Sequence, residues 1–563
     1  MKEWLKETHD TQFELLRHFL RSFFESDLVT VPGHATPAII GAISVFLPWF
    51  PMMITPLKQK YAYVSHLASP DAYLRAVRAD ELWLLTLMMS TIGLLTAIKW
   101  QSVFPSLRDY RALAALPLRS HQLFQAKFTA LLIAATTAIL VLNLFPSLLF
   151  PMVSGGRWAL NPSFAARVMI HAVVCAAGCY FFFFALVALQ GMLLVVLKRR
   201  IFENISGVMQ AVIVPTMLVL LVLSFSIQPH VTATVLEPRF AAWLPPVWFL
   251  GLYQRMMGDP DPGMNILAHR AVLALVISVL LSVLTYARSY HRHRAMLLEG
   301  VVASPRKQRW NLPLLDWLFP DPRQQAVIAF MLKTLTQSSQ HRMILTAYGG
   351  FGLAVLLTGM VGLGAVVGKT KLDTAICVYA HVVMLAFMLV GLRHLFSIPS
   401  ELRANWIFQL AEAGSRREWL AAIDRLVLLA GVGMLLIPLP LEYKLLGRRA
   451  IAEVTLFGAV AFVCYEAVFR SWEKLPFTCS HLPGKTPMWV LALRLYAFLW
   501  LLPLPNLILL GCLYTPIAFF IVLIALITIG VYLHVTRREY RSQIRFKYEE
   551  SHEPAVLTLS LLK

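Results

Sequence analysis

The sequence predicts an all-α polytopic membrane protein of about 12 transmembrane helices, arranged as two six-helix repeats. Three observations carry this. The chain of 563 residues is 58% hydrophobic and 14% charged, against about 25% charged in soluble domains, and its mean hydropathy is +0.66. Its apolar residues fall into about twelve runs of about 20, the length that crosses a bilayer. One long polar stretch, 288–342, separates six runs from six.

Residues 1–37 contain "FELLRHFLRSFFESDL". Phe13, Leu16, Leu20, Phe23 and Phe24 share one broad face there, which predicts an amphipathic helix in the membrane interface. A helix packed on the polar stretch would show the same pattern. The first half, 38–287, holds runs near 38–56, 82–99, 128–154, 168–192, 206–228 and 266–287. The stretch 288–342, with "RSYHRHR" and "SPRKQRWNLP", reads as a cytoplasmic linker. The second half, 343–535, holds runs near 343–367, 373–396, 420–441, 450–470, 488–512 and 514–535, and 536–563 is a basic tail.

Lys and Arg are in excess on the side holding both termini and the linker. This predicts cytoplasmic termini in a plasma (inner) membrane, although Lys58, Lys60, Arg75 and Arg78 in the loop 57–81 run against it. The net charge of +20 lies between the apolar runs and in the tail. It suits topology and contact with anionic lipid, not nucleic acid.

Much chemistry is absent from the sequence. Cys175, Cys179, Cys377 and Cys464 sit in apolar runs without CxxC spacing, so they read as small packed thiols. There is no zinc-protease, nucleophile-elbow or dinucleotide motif, and no cofactor is expected. "GLGAVVGKT" ends like a phosphate-binding loop, but Leu363 stands where its opening glycine belongs. "LPGKT" likewise has Cys479 at that place. Gly364 and Gly368 are expected instead to let the seventh span pack closely on a neighbour. His381, alone in its run, reads as a hydrogen-bonded packing residue. Arg270, Arg393, Asp424, Glu453, Glu466 and Arg494 are charges within or beside spans. Most lie near span ends, where they can reach the interface. Arg494 is the deepest, and Asp424 with Arg425 could neutralise each other.

Two segments repeat at an offset of about 294–298 residues. "FPSLRDYRALAALPLRSHQLFQAKF" follows the second run and "IPSELRANWIFQLAEAGSRREWLAAIDR" the eighth. Each has Pro-Ser, then Leu-Arg (Arg108, with Arg111 after it, and Arg403), and then a basic and serine cluster. That cluster is Arg119 and Ser120 in one, and Ser415, Arg416 and Arg417, with Glu418, in the other. Each is too charged to span yet rich in Leu, Ala, Phe and Trp, so it lies along the membrane face. Such a segment is either an interfacial loop or an elbow that receives force from a docked partner.

Here the sequence resembles the permeases of type-2 ABC exporters. Leu116, Pro117, Arg119, Ser120 and Lys127 match the segment that, in that family, forms the coupling helix against the ATPase. The second segment departs from the pattern, with Ala413-Gly414 in place of Leu-Pro. "LPPVWFLGLYQ", 244–254, is similar to the short re-entrant helices before that family's last span. The resemblance implies a fused permease, not itself an enzyme, that works with a separate ABC ATPase, itself a dimer. The alternatives are an ion-coupled secondary transporter with a duplicated six-helix core and an intramembrane lipid-linked transferase. The substrate is not legible.

Overall fold

The computed structural model describes residues 12–20, 49–66, 70–104, 120–161, 163–227, 243–302, 319, 321–366, 369–400, 405–412, 416–470, 472, 474–478, 503–543 and 546. These residues form helices and turns with no strand, so the chain is all-α. Among the described residues, ten helices are long and apolar enough to cross a membrane, which makes this a multi-pass membrane protein. Each coincides with one expected run. The remaining runs, 38–56 and 488–512, lie partly outside the described residues.

The chain divides into two compact units, Met1–Pro305 with Pro483–Ala492 and Arg306–Leu482 with Leu493–Lys563. Unit one contains α1 (12–20), α2 (Trp49–His66), α3 (Pro70–Ile98), α4 (Ser120–Val153), α5 (Phe164–Val196), α6 (Arg199–Ile227), α7 (Pro245–Met257) and α8 (Pro262–Val302). Its centre is α3, packed on α4, α5, α6 and α7, while α5 and α7 both pack on α8. The core between them is aromatic and aliphatic, with Trp83, Met89, Phe183, Phe249 and Tyr253 buried.

Unit two contains α9 (Pro322–Gln337), α10 (Ser339–Val366), α11 (Lys369–Phe396), α12 (Asn405–Ala411), α13 (Arg416–Leu436), α14 (Leu439–Leu446), α15 (Arg449–Phe469), α16 (Pro503–Tyr514) and α17 (Pro516–Gln543). Here α11 packs on α10, α13, α15 and α16, while α15 and α16 both pack on α17. In this order of partners α11 stands where α3 does, α13 where α4 does, α15 where α5 does, and α16 and α17 where α7 and α8 do.

Local chemistry explains several boundaries. Ser163 caps α5 by accepting from the Ala166 N–H, and Asp321 caps α9 by accepting from the Arg323 N–H, with Pro322 at the first helical position. Gly447, at a φ of 60° that side chains disfavour, ends α14. In α10, a Cβ on Gly359 would lie 2.0 Å from the Tyr379 ring. Gly359 thus makes a close approach of α10 to α11. The side chain environment of Gly364, and Gly368 altogether, lie outside the described residues.

Two expected boundaries and one expected face differ in the structure. Of the stretch 288–342, residues up to Val302 continue α8, and α9 packs on α13 through a core holding Ile328 and Met331. The basic tail does not begin at 536, because α17 runs unbroken to Gln543 and brings Arg537 and Arg541 into the protein. In α1, Leu15 and Phe19 are the buried residues, seated on Leu123, Ala126 and Ala130 of α4, while Phe13 points away. Phe23 and Phe24 lie outside the described residues.

Candidate functional site

The interspan elbows come first, because the sequence singled them out. Arg108, Arg111, Pro117, Arg119 and Arg403 lie outside the described residues, as does Arg494. What the structure describes is how each elbow is rooted. At the end of α3, orphan carbonyls of the last turn are taken up by side-chain amides. Gln210 Nε2 donates to Ala97 O at 3.0 Å and Gln190 Nε2 to Trp100 O at 2.7 Å. Trp100 Nε1 donates to Ser206 Oγ at 2.8 Å, and Phe104 stacks on Tyr286 at 4.9 Å. The chain re-enters at α4, where buried Lys127 lies 4.7 Å from the centre of the Phe19 ring.

The second elbow leaves α11 through Phe396 to Ser400. Phe477 donates its N–H to Phe396 O and accepts from the Ser400 N–H, each at 2.9 Å. It does so from a left-handed φ of 66°, rare for a side chain of its size. His341 Nε2 donates to Ile398 O at 3.1 Å. Helix α12 follows. Asn405 anchors it by donating to Thr478 O at 3.0 Å, and Phe408 packs on Phe330. Its other face bares Trp406, Ile407 and Leu410. Arg416 is not free for a partner, since its Nε and Nη2 donate to Glu412 Oε1 at 2.9 and 2.6 Å. Glu418 accepts from Gln324 Nε2 at 2.6 Å. Arg417 is exposed.

Asp424 and Arg425 do not neutralise each other. Adjacent helical residues point about 100° apart, and each finds a partner elsewhere. Arg425 donates to Gln324 Oε1 at 2.8 Å. Asp424 takes Arg537 Nη2 and Arg541 Nη1, both at 2.6 Å, and Tyr465 donates to it as well. Arg537 also reaches Glu466 at 2.9 Å. Glu466 and Glu453 do not extend to the interface: both are buried inside unit two.

Two further sets of buried polar side chains lie between spans. In unit one, adjacent Asp80 and Glu81 on α3 point to different helices. Asp80 accepts from Lys60 Nζ at 2.7 Å and from Tyr61 OH at 2.8 Å on α2. Burial, and then the Asp80 carboxylate, push the Tyr61 hydroxyl well up, so it stays a donor. Glu81 faces His171 of α5, Oε2 to Nδ1 at 2.9 Å, an ordinary charge-assisted hydrogen bond. Cys175, one turn on, lies 3.6 Å from His171 Nε2. Burial and Glu81 also push the Tyr253 hydroxyl of α7 well up.

In unit two, His381 of α11 faces two carboxylates. Its Nδ1 is 3.3 Å from Glu453 Oε1 on α15 and 3.6 Å from Glu442 Oε1 on α14. Pro438 opens α14 and Gly447 closes it, and this short helix folds Glu442 back over the first turns of α15. All three side chains are buried, and Phe457 lies against the imidazole with ring centroids 5.1 Å apart. Each set offers three ligand-type atoms close enough to share one ion: Glu81, His171 and Cys175, or His381, Glu442 and Glu453.

The chain matches no family model, no curated protein and no solved structure. The function therefore rests on geometry. Sequence reasoning saw His381 as a packing residue and passed over Glu81, His171 and Glu442. The available signal was a buried-type histidine and several carboxylates in unusually apolar surroundings, a combination costly enough to demand partners.

Proposed function

We propose that the chain is the membrane-spanning permease of an ABC-type exporter, with both half-permeases in one chain and ATP hydrolysis on a separate, dimeric ATPase. The observation that carries this is the rooting of the elbows. Each leaves the unit from a span end fixed by buried hydrogen bonds, at Gln190 and Gln210 or at His341 and Phe477. A load on such an elbow tilts a span instead of bending a loop. The face of α12 that bears Trp406, Ile407 and Leu410, with Arg417 beyond it, is the docking surface in unit two. Both termini then lie in the cytoplasm, with the ATPase.

The test is co-purification of an ABC ATPase with this chain, and stimulation of its hydrolysis by the reconstituted permease in liposomes. Pro117→Gly with Arg119→Ala is expected to abolish stimulation while the chain stays folded. Trp406→Ala with Arg417→Ala is expected to weaken binding of the ATPase. Unchanged binding and stimulation in both variants would leave the elbows as interfacial loops.

A second reading, an ion-coupled carrier, is favoured by the buried carboxylates that face His381. It requires substrate flux driven by an ion gradient without ATP, and loss of that flux in Glu453→Gln.

A further inference from the structure

The two buried imidazole sets differ in geometry, and the difference selects one of them as a metal site. In unit one the His171–Glu81 separation of 2.9 Å is that of a hydrogen bond. The proton lies between those atoms, and the pair is complete. In unit two the separations of 3.3 and 3.6 Å are long for N–H···O bonds, which cluster at about 2.7–3.2 Å. They match something else. Donors bound to one tetrahedral zinc at about 2.0–2.2 Å stand about 3.3–3.6 Å from one another.

The charges point the same way. The facing atoms are His381 Nδ1 and the Oε1 atoms of Glu442 and Glu453, and the Oε2 of each carboxylate is buried without a hydrogen-bond partner. Buried carboxylates are costly unless a group of opposite charge faces them. Among the described residues, the ion pairs of Glu442 and Glu453 are to His381 and to no Lys or Arg. A divalent cation supplies the missing charge.

We propose that His381, Glu442 and Glu453 bind a four-coordinate divalent transition metal, zinc in the first instance. A nitrogen with two carboxylate oxygens is a donor set suited to zinc. Phe457, stacked on the imidazole, restricts the ring plane. The ion ties α11, α14 and α15 together at the turn between two spans. It stands whether or not an ATPase docks on the elbows.

The experiment uses the full chain, purified in mild detergent without metal-affinity chromatography and then dialysed against Zn²⁺. A single tight equivalent per chain is expected by elemental analysis. His381→Ala and Glu453→Gln should each lower the affinity by at least about tenfold, and Glu81→Gln should keep it. Co²⁺ in place of Zn²⁺ should give the intense visible bands of a four-coordinate centre, and these should vanish in Glu442→Gln. That variant alters only the short turn helix, and so covers the case in which the span variants fail to fold. A folded wild-type chain that takes up no stoichiometric metal would overturn the proposal. So would wild-type affinity in His381→Ala and Glu453→Gln, or loss of the metal in Glu81→Gln.

Discussion

Units one and two each put an acid and an imidazole where two spans pack, with the residues in opposite order along the chain. In unit one the acid, Glu81, is on α3 and the histidine, His171, is on α5. In unit two the histidine, His381, is on α11 and the acid, Glu453, is on α15. The helices keep their partners: α3 with α5, α11 with α15. The attraction between two groups does not depend on which helix carries which, so the crossing constrains the pair and not its orientation. The units also differ at α8 and α17. In unit one, α5 and α8 meet through close packing, where a Cβ on Gly191 would lie 2.6 Å from Thr285 Oγ1. In unit two, α13, α15 and α17 meet through Asp424, Glu466 and Arg537.

The largest effect should come from breaking that ionic knot. Arg537→Ala leaves Glu466 with His534 at 2.9 Å and Asp424 with Arg541 at 2.6 Å, so the loss should approach, from below, the cost of about 3–5 kcal/mol for a buried pair that loses its sole partner. Unfolding of the chain in detergent, followed against denaturant, measures it. A change below about 1 kcal/mol would mean that water compensates these carboxylates.

The next contrast is between matched substitutions. Glu81→Gln should destabilise by about 1–3 kcal/mol, because it removes a charged acceptor at hydrogen-bonding distance. Glu453→Gln, in chelator-treated protein, should be neutral or stabilising, because it removes one of two uncompensated acids. Equal losses in both variants would make the two sets alike.

The exchange itself can be tested. Glu81→His combined with His171→Glu places unit two's arrangement in unit one. The double variant should recover about 0.5–3 kcal/mol relative to the sum of the single variants. Additive losses would show that the surroundings of α3 and α5 prescribe the orientation.

The smallest effect concerns α1. Lys127→Met should cost about 0.5–1 kcal/mol, the scale of a cation above an aromatic face. Faster proteolysis at α1 would report the loosened contact with Phe19.

The spans were legible because an apolar run of bilayer length has few alternatives, and ten of the expected runs are such helices. The partners of His381 were not, since Glu453 is 72 positions away and Glu442 arrives only through the turn made by Pro438 and Gly447. Matching the halves by residue identity could not align an exchanged pair either. Asp424 and Arg425 misled through adjacency, which on a helix separates side chains. The elbows were visible as composition. Their roots were not, because Gln190, Gln210 and Phe477 act through backbone carbonyls that no motif encodes.

Helix α8 has 41 residues, about 60 Å of rod at 1.5 Å per residue, while the hydrocarbon core of a bilayer is about 30 Å thick. Its apolar part ends at Ser289, so the helix continues to Val302 for about 20 Å more. The sequence just past that point is "RSYHRHR", a composition suited to anionic headgroups. A rod gripped by headgroups part-way along has a fulcrum. Tilting its inner part by a few degrees swings the projecting end the opposite way, with an arm longer than half the thickness of the hydrocarbon core. Bilayer thickness and anionic lipid content thereby become mechanical settings of the molecule.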